Sequence, residues 1–124
     1  MGPETKFYQK LRKNSKGIIW TRLENLSSLG TPDLLGYNTS GTFFTVELKV
    51  TKGKGVRFSP HQIAFHKSHP TKTFIMVQAP GPGSLKLVHM FQGSRITELE
   101  ACGLTLEACC LGLDASIDYL KNLN

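Results

Sequence analysis

No run of apolar residues in this chain approaches the ~20 that a membrane-spanning helix needs, and no signal peptide is expected at its start. Cysteine is scarce: Cys102, Cys109 and Cys110 are the only three. Odd in number and without zinc-ligand spacing, they argue against a disulfide framework and for free thiols in a reducing cytosol. Of His61, His66 and His69, only the last two share a helical face, and no cysteine or acid is spaced to complete a zinc set of four. The pattern G-x-x-x-x-G-K-[ST] is missing around Gly53 and Gly55, so a Walker-type phosphate loop is excluded. Internal repeats and dividing linkers are absent as well. Acids are few, 9 against 15 lysines and arginines, for a formal net charge of +6. That excess is spread along the chain, which favours an anionic partner.

What is present fits one domain, residues 1–124, large enough to bury roughly two-thirds of the surface its unfolded form exposes. A helix is expected over 3–14, since Pro3 suits a first turn and Phe7 and Leu11 lie four apart on one face. Glu4 sits in that first turn, where an acid is favourable against the helix dipole. Residues 18–24 read as a strand, with Ile19, Thr21 and Leu23 on one face and Ile18, Trp20, Arg22 and Glu24 on the other. Trp20 belongs in or over the core. Arg22 and Glu24 either pair at the surface, which stabilises little, or extend a charged site on the neighbouring strand.

The chain is organised around residues 30–62. Phe44, Val46, Leu48 and Val50 alternate with Thr45, Glu47, Lys49 and Thr51, the signature of a half-buried strand. Glu47 and Lys49 then share a face, roughly 6.7 Å apart along the strand. Residues 33–37 form a second strand, and a three-residue loop 39–41 with Gly41 in a left-handed conformation would close a hairpin. In that register facing residue numbers sum to 80, so Asp33 stands opposite Glu47. Two carboxylates side by side repel and call for a cation. Oxygen ligands of this kind suit Mg²⁺, and a lysine beside them can hold water or offset charge on a phosphate. Ser59-Pro60 opens a helix expected to run to about residue 69, with Gln62 in its first turn pointing back to the strand edge.

Taken in order, G-T-P-D-L-L-G, V-E-L-K-V and V-R-F-S-P-H-Q-I-A-F-H resemble the PD-(D/E)XK nuclease superfamily. The nearest likeness is to its phage-type VRR-NUC and Holliday-junction-resolvase-like branch, over residues 4–77. The resemblance implies that Asp33 and Glu47 are metal carboxylates, with the Leu48 backbone carbonyl as a further ligand, and that Lys49 is the catalytic lysine. It implies an accessory role for Gln62, and offers Glu4 as the extra acid that an N-terminal helix supplies. The implied cofactor is Mg²⁺, with Mn²⁺ able to substitute.

Between strand and helix, Lys52, Lys54 and Arg57 make a glycine-containing loop strongly positive. Beside a metal site, such a loop would contact backbone phosphates, which position a duplex without reading its sequence. Residues 73–79 and 85–91 are two further strands joined by the turn 80–83, loosely patterned as strands covered on both faces are. The extension 94–124 reads as helical, with Ser94 capping a helix to 102 and Asp114 capping another over 115–122. The apolar run 104–113 between them is core or an interface patch.

The resulting expectation is an α/β domain with a restriction-endonuclease-like core, a central mixed β-sheet flanked by helices in the order αβββαββα. The expected activity is Mg²⁺-dependent hydrolysis of DNA phosphodiester bonds, on branched DNA, by a homodimer pairing through the run 104–113. A site-specific homing or restriction-type endonuclease and an inactive nucleic-acid-binding module are the alternatives. The expected location is the cytoplasm, that of a bacterial host cell if the chain is phage-encoded.

Overall fold

Eight residues of alternating polarity make the longest strand, which pairs with one strand on each side and takes a helix on its apolar face. In chain order the computed structural model has α1 (Pro3–Asn14), β1 (Ile19–Arg22), β2 (Leu34–Tyr37), β3 (Phe43–Val50), α2 (Pro60–Ser68), β4 (Thr73–Gln78), β5 (Val88–Gln92), α3 (Ile96–Cys102), β6 (Cys110–Leu111) and α4 (Leu113–Lys121). The structure describes residues 2–23, 30–81 and 87–124. The six strands lie in sequence order across one sheet. Only β3 and β4 run parallel, joined by the α2 crossover; the other neighbours are antiparallel.

The alternation of β3 decides which side each helix covers. Phe44, Val46 and Leu48 join Phe7 and Leu11 of α1 and Ile117 and Leu120 of α4 in one buried cluster. On the opposite face Ile75, Val77 and Phe91 meet Ile96 and Leu99 of α3, half-buried Ile63 of α2, and Val56 and Phe58 from the loop before α2. Burying one such side chain stabilises the fold by roughly 1.5–3 kcal/mol, so these two layers outweigh any surface ion pair. All six residues of β4, covered on both faces, are buried.

The β2–β3 hairpin has the expected register: Leu34 faces Val46 and Tyr37 faces Phe43. Gly41 takes φ +78°, the left-handed conformation a three-residue loop requires. Asn38, 2% exposed, has every polar group occupied. Its Oδ1 accepts the N–H groups of Ser40 and Thr42, both at 3.0 Å, and its amide donates to the carbonyls of Leu120 and Leu123. The hairpin turn is thereby tied to the end of α4.

Several expectations need correction. Residues 94–124 are not all helical, because β6 pairs antiparallel with β5. The N–H groups of Cys109 and Gly112 donate to the carbonyls of Met90 and Val88, so satisfying the open edge of β5 outweighs local helical tendency. Ser94 lies in a 3₁₀ turn ahead of α3 and caps nothing, and Asp114 lies inside α4, whose N-cap is Gly112. Strand β1 covers Ile19–Arg22, leaving out the expected Ile18 and Leu23, and β5 covers Val88–Gln92, leaving out Leu87. Glu24 and residues 82–86 lie outside the described residues. The run 104–113 is largely consumed inside the chain: Leu104, Leu106 and Ala108 pack on the α3 side and Cys110 and Leu113 on the α4 side. Leu111 is its one large exposed apolar residue, at 57%. Among the described residues no helix is long and apolar enough to cross a membrane.

Candidate active site

Where β2 begins and β3 runs on past it, four polar residues come together. Asp33 immediately precedes β2, Glu47 and Lys49 share one face of β3, and Gln62 opens α2. The Asp33 carboxylate accepts the Leu48 N–H at 2.8 Å through Oδ2, which holds it against the part of β3 that extends beyond its pairing with β2. Gln62 links the rest. Its Nε2 donates to Glu47 Oε2 at 3.2 Å, and its Oε1 accepts the Lys49 ammonium at 3.4 Å and the Ser59 N–H at 2.9 Å. Two donors converge on Oε1, so the amide can face only this way. The Ser59 hydroxyl accepts the Gln62 N–H in return, a capping box that fixes Gln62 on the first turn of α2.

Glu47 is 3% exposed. Burial first, then the charge of Asp33 and a hydrogen bond with it, push its carboxyl up to about 9; Glu4 adds to the push and Lys49 opposes it. With both acids ionised, Glu47 Oε1 is buried and has no donor. A proton shared with Asp33, or a cation, relieves that arrangement, and hard oxygen donors fit a divalent cation such as Mg²⁺. Among the described residues, no group of three or more His, Cys, Asp or Glu side chains could by itself hold a metal ion. Any ion here therefore rests on two carboxylates plus backbone oxygen, water and substrate.

The surroundings explain why the residues meet. Gly30, with φ +78°, passes so close to α2 that a Cβ there would lie 2.2 Å from the carbonyl carbon of His61 and 2.7 Å from the Gln62 nitrogen. This contact brings the segment leading through Asp33 into β2 against the turn bearing Gln62. The Lys49 ammonium lies over the Phe58 ring, 5.1 Å from its centroid, a cation–π contact that helps to place it. Phe58 is in turn held by its N–H donating to Glu100 Oε2 of α3 at 2.9 Å.

Of the residues singled out by sequence, Asp33, Glu47, Lys49 and Gln62 are brought together. Glu4 is exposed on the first turn of α1, near enough for its charge to act on Glu47. Lys52, Lys54 and Arg57 are exposed in the loop beyond β3. That loop is less free than its glycines imply: Val56 and Phe58 are buried, and Lys54 O accepts the Leu104 N–H at 2.8 Å. Gly30, Phe58, Ser59 and Glu100 support the site without having been read as part of it. The N-cap at Ser59 and the return of Gln62 toward the strand edge were legible, but not that the same amide would close a capping box and bridge Glu47 and Lys49.

A solved structure shares this architecture. The chain superposes on Hjc of Archaeoglobus fulgidus, a Holliday junction resolvase from an archaeal hyperthermophile, with a TM-score of 0.54, 16% identity and 74% of each chain covered. The chain has the restriction-endonuclease-like fold. No protein-family model and no curated protein matches it. At 16% identity the likeness extends to the fold alone. In this chain Asp33 stands just before β2, β3 carries Glu47 and Lys49, and α2 carries Gln62.

Proposed function

We propose that this protein is a metal-dependent endodeoxyribonuclease acting on branched DNA. The observation that carries the reading is Glu47 Oε1, buried without a donor beside Asp33 and within one residue step of Lys49 on the same face. Binding DNA alone requires no buried Glu47 beside a half-buried Asp33 where phosphates must approach, so a module without chemistry leaves this arrangement unexplained. Asp33 and Glu47 would hold Mg²⁺, or Mn²⁺ in its place. The Leu48 carbonyl fits as a further ligand because, in an extended residue, N–H and C=O leave the same edge, and its N–H is aimed at Asp33. A bound divalent ion polarises a phosphate oxygen and makes water a better nucleophile.

The chain's own residues do the rest. Lys49, fixed by Gln62 and the Phe58 ring, supplies a charge that offsets what builds up on the phosphate. Gln62 sets the spacing between that charge and Glu47. Lys52, Lys54 and Arg57 bind flanking phosphates, and Glu4 supplies a further acid from α1. The closer placement in the VRR-NUC branch rests on the sequence motifs. Pairing of two copies is part of the proposal too, now through Leu111 on edge strand β6; sedimentation of Leu111→Glu as a monomer, against a wild-type dimer, would support it.

The test is cleavage of linear, flap and four-way-junction DNA in Mg²⁺, alongside thermal unfolding with and without the ion. Wild type should cut, and should gain thermal stability from Mg²⁺ as a ligand of the folded state. Asp33→Ala should lose both while still binding DNA. Near-normal cutting by Asp33→Ala would overturn the site.

A further inference from the structure

We infer that the uncovered half of the sheet face carrying Asp33 and Glu47 is a stacking platform for unpaired bases of the DNA, and this rests on the nuclease reading. On that face α2 and α3 cover β4 and β5; among the described residues, the corresponding positions further along the sheet are exposed at Ile19, Thr21 and Phe43 and half-buried at Leu35, Tyr37 and Thr45. The register lines up Ile19, Tyr37 and Phe43 as one cross-strand row. Ile19 is 66% exposed and Phe43 58%, and the Tyr37 and Phe43 rings lie 4.5 Å apart, tilted by 47°. Exposed Ile19 and Phe43, with half-buried Tyr37 between them, make an apolar strip that is costly to leave bare.

The position of the row points to its occupant. Phe43 and Glu47 stand on the same face of one strand four residues apart, about 13 Å at 3.3 Å per residue. A stacked nucleic-acid strand rises about 3.4 Å per nucleotide, so the platform lies roughly four nucleotides from a phosphate at Asp33 and Glu47. Exposed lysines rim the row at both ends. Lys16 precedes Gly17, which abuts Thr39 of the hairpin loop, and the Lys72 carbonyl accepts the Thr45 N–H. Aromatic rings with cationic neighbours are what unpaired bases and their phosphates bind, without sequence preference. Bases inside an intact duplex are paired and stacked and cannot offer their faces. The platform therefore selects DNA with unpaired bases within about four nucleotides of the cut, as at a flap or an opened junction. A second copy of the chain is a poorer occupant, because three side chains fall far short of the ~800 Å² each partner buries in a stable interface.

The experiment uses Asp33→Ala as background, so that binding is read without cleavage. A flap DNA carries 2-aminopurine among its unpaired bases, and a blunt duplex of the same sequence is the comparison. Quenching of the 2-aminopurine on binding is expected, and adding Phe43→Ser should abolish it and weaken flap binding about tenfold more than duplex binding. Ile19→Ser, on a separate strand, should act in the same direction, and circular dichroism checks that both variants are folded. Equal losses on flap and duplex, or unchanged quenching, would overturn the platform. So would a wild type that sediments as a dimer and becomes a monomer on Phe43→Ser, which would assign the face to a second copy. Failure of the nuclease reading shows separately, as a wild type that cuts no DNA in Mg²⁺.

Discussion

Gln62 and Glu47, fifteen residues apart in the chain, are joined by an amide-to-carboxylate hydrogen bond of 3.2 Å. The other end of the same amide takes the Lys49 ammonium. One neutral side chain thus sets the distance between a buried acid and a lysine of opposite charge, and the capping box of α2 sets the position of that side chain. The acid, the amide and the lysine form one hydrogen-bonded chain.

Gln62→Ala should therefore act in two separable ways. Loss of half the capping box should destabilise the protein by about 1 kcal/mol, read by urea unfolding. Loss of the link between Glu47 and Lys49 should lower kcat on a flap substrate by roughly 10–100-fold, as removal of a group that orients ligands does. A variant destabilised to that degree but cutting at the wild-type rate would show that Gln62 only caps the helix.

Gly30 and Gly41 have the same φ, +78°, in different surroundings. At Gly41 the nearest atom to an added Cβ is Tyr37 Oη at 3.5 Å, whereas at Gly30 backbone atoms of His61 lie at 2.2 Å. Gly41→Ala should cost only the left-handed penalty, about 1–2 kcal/mol. Gly30→Ala should cost clearly more and also depress cleavage, because α2 must retreat from Asp33. Equal losses in thermal unfolding would refute the close approach.

His66 is fully buried, and neither ring nitrogen has a hydrogen-bond partner. Burial, and then the neighbouring His69, lower its pKa to about 4 from the ordinary 6.5. Unfolding frees the ring to take up a proton, so the unfolded state binds more protons between about pH 6.5 and 4. Stability from this group is complete above 6.5 and declines as pH falls through that window, by at most about 1.4 kcal/mol per pH unit. A His66→Leu variant should show a flatter fall in unfolding free energy between pH 6.5 and 4 than wild type. Parallel curves would assign the acid sensitivity elsewhere.

Lys52, Lys54 and Arg57 are exposed, while the backbone beside them is anchored through Val56, Phe58 and the bond from Leu104. Each replaced by Ala should weaken DNA binding alike on all sequences and reduce the salt slope of log K by roughly 0.9. Binding titrations from low to moderate salt measure this. A loss confined to one sequence would mean that the loop reads bases.

The sequence by itself determined the parts of this protein governed by local pattern. Period-two polarity put Glu47 and Lys49 on one face of β3, Ser59-Pro60 opened α2, Phe7 and Leu11 defined the buried side of α1, and a three-residue loop with Gly41 set the hairpin register that brings Asp33 to Glu47. Each depends on residues within a few positions of one another. What only the tertiary structure decided depends on contacts between distant segments. Strand β6 exists because the edge of β5 offers carbonyls to Cys109 and Gly112, which no helical or strand periodicity in 104–113 announces. The Gly30 approach to His61, the Glu100 hold on Phe58 and the orphaned Glu47 Oε1 likewise arise only when the sheet, α2 and α3 pack. Burial is what raises Glu47 so far, and burial is a property of the packed layers rather than of any stretch of chain.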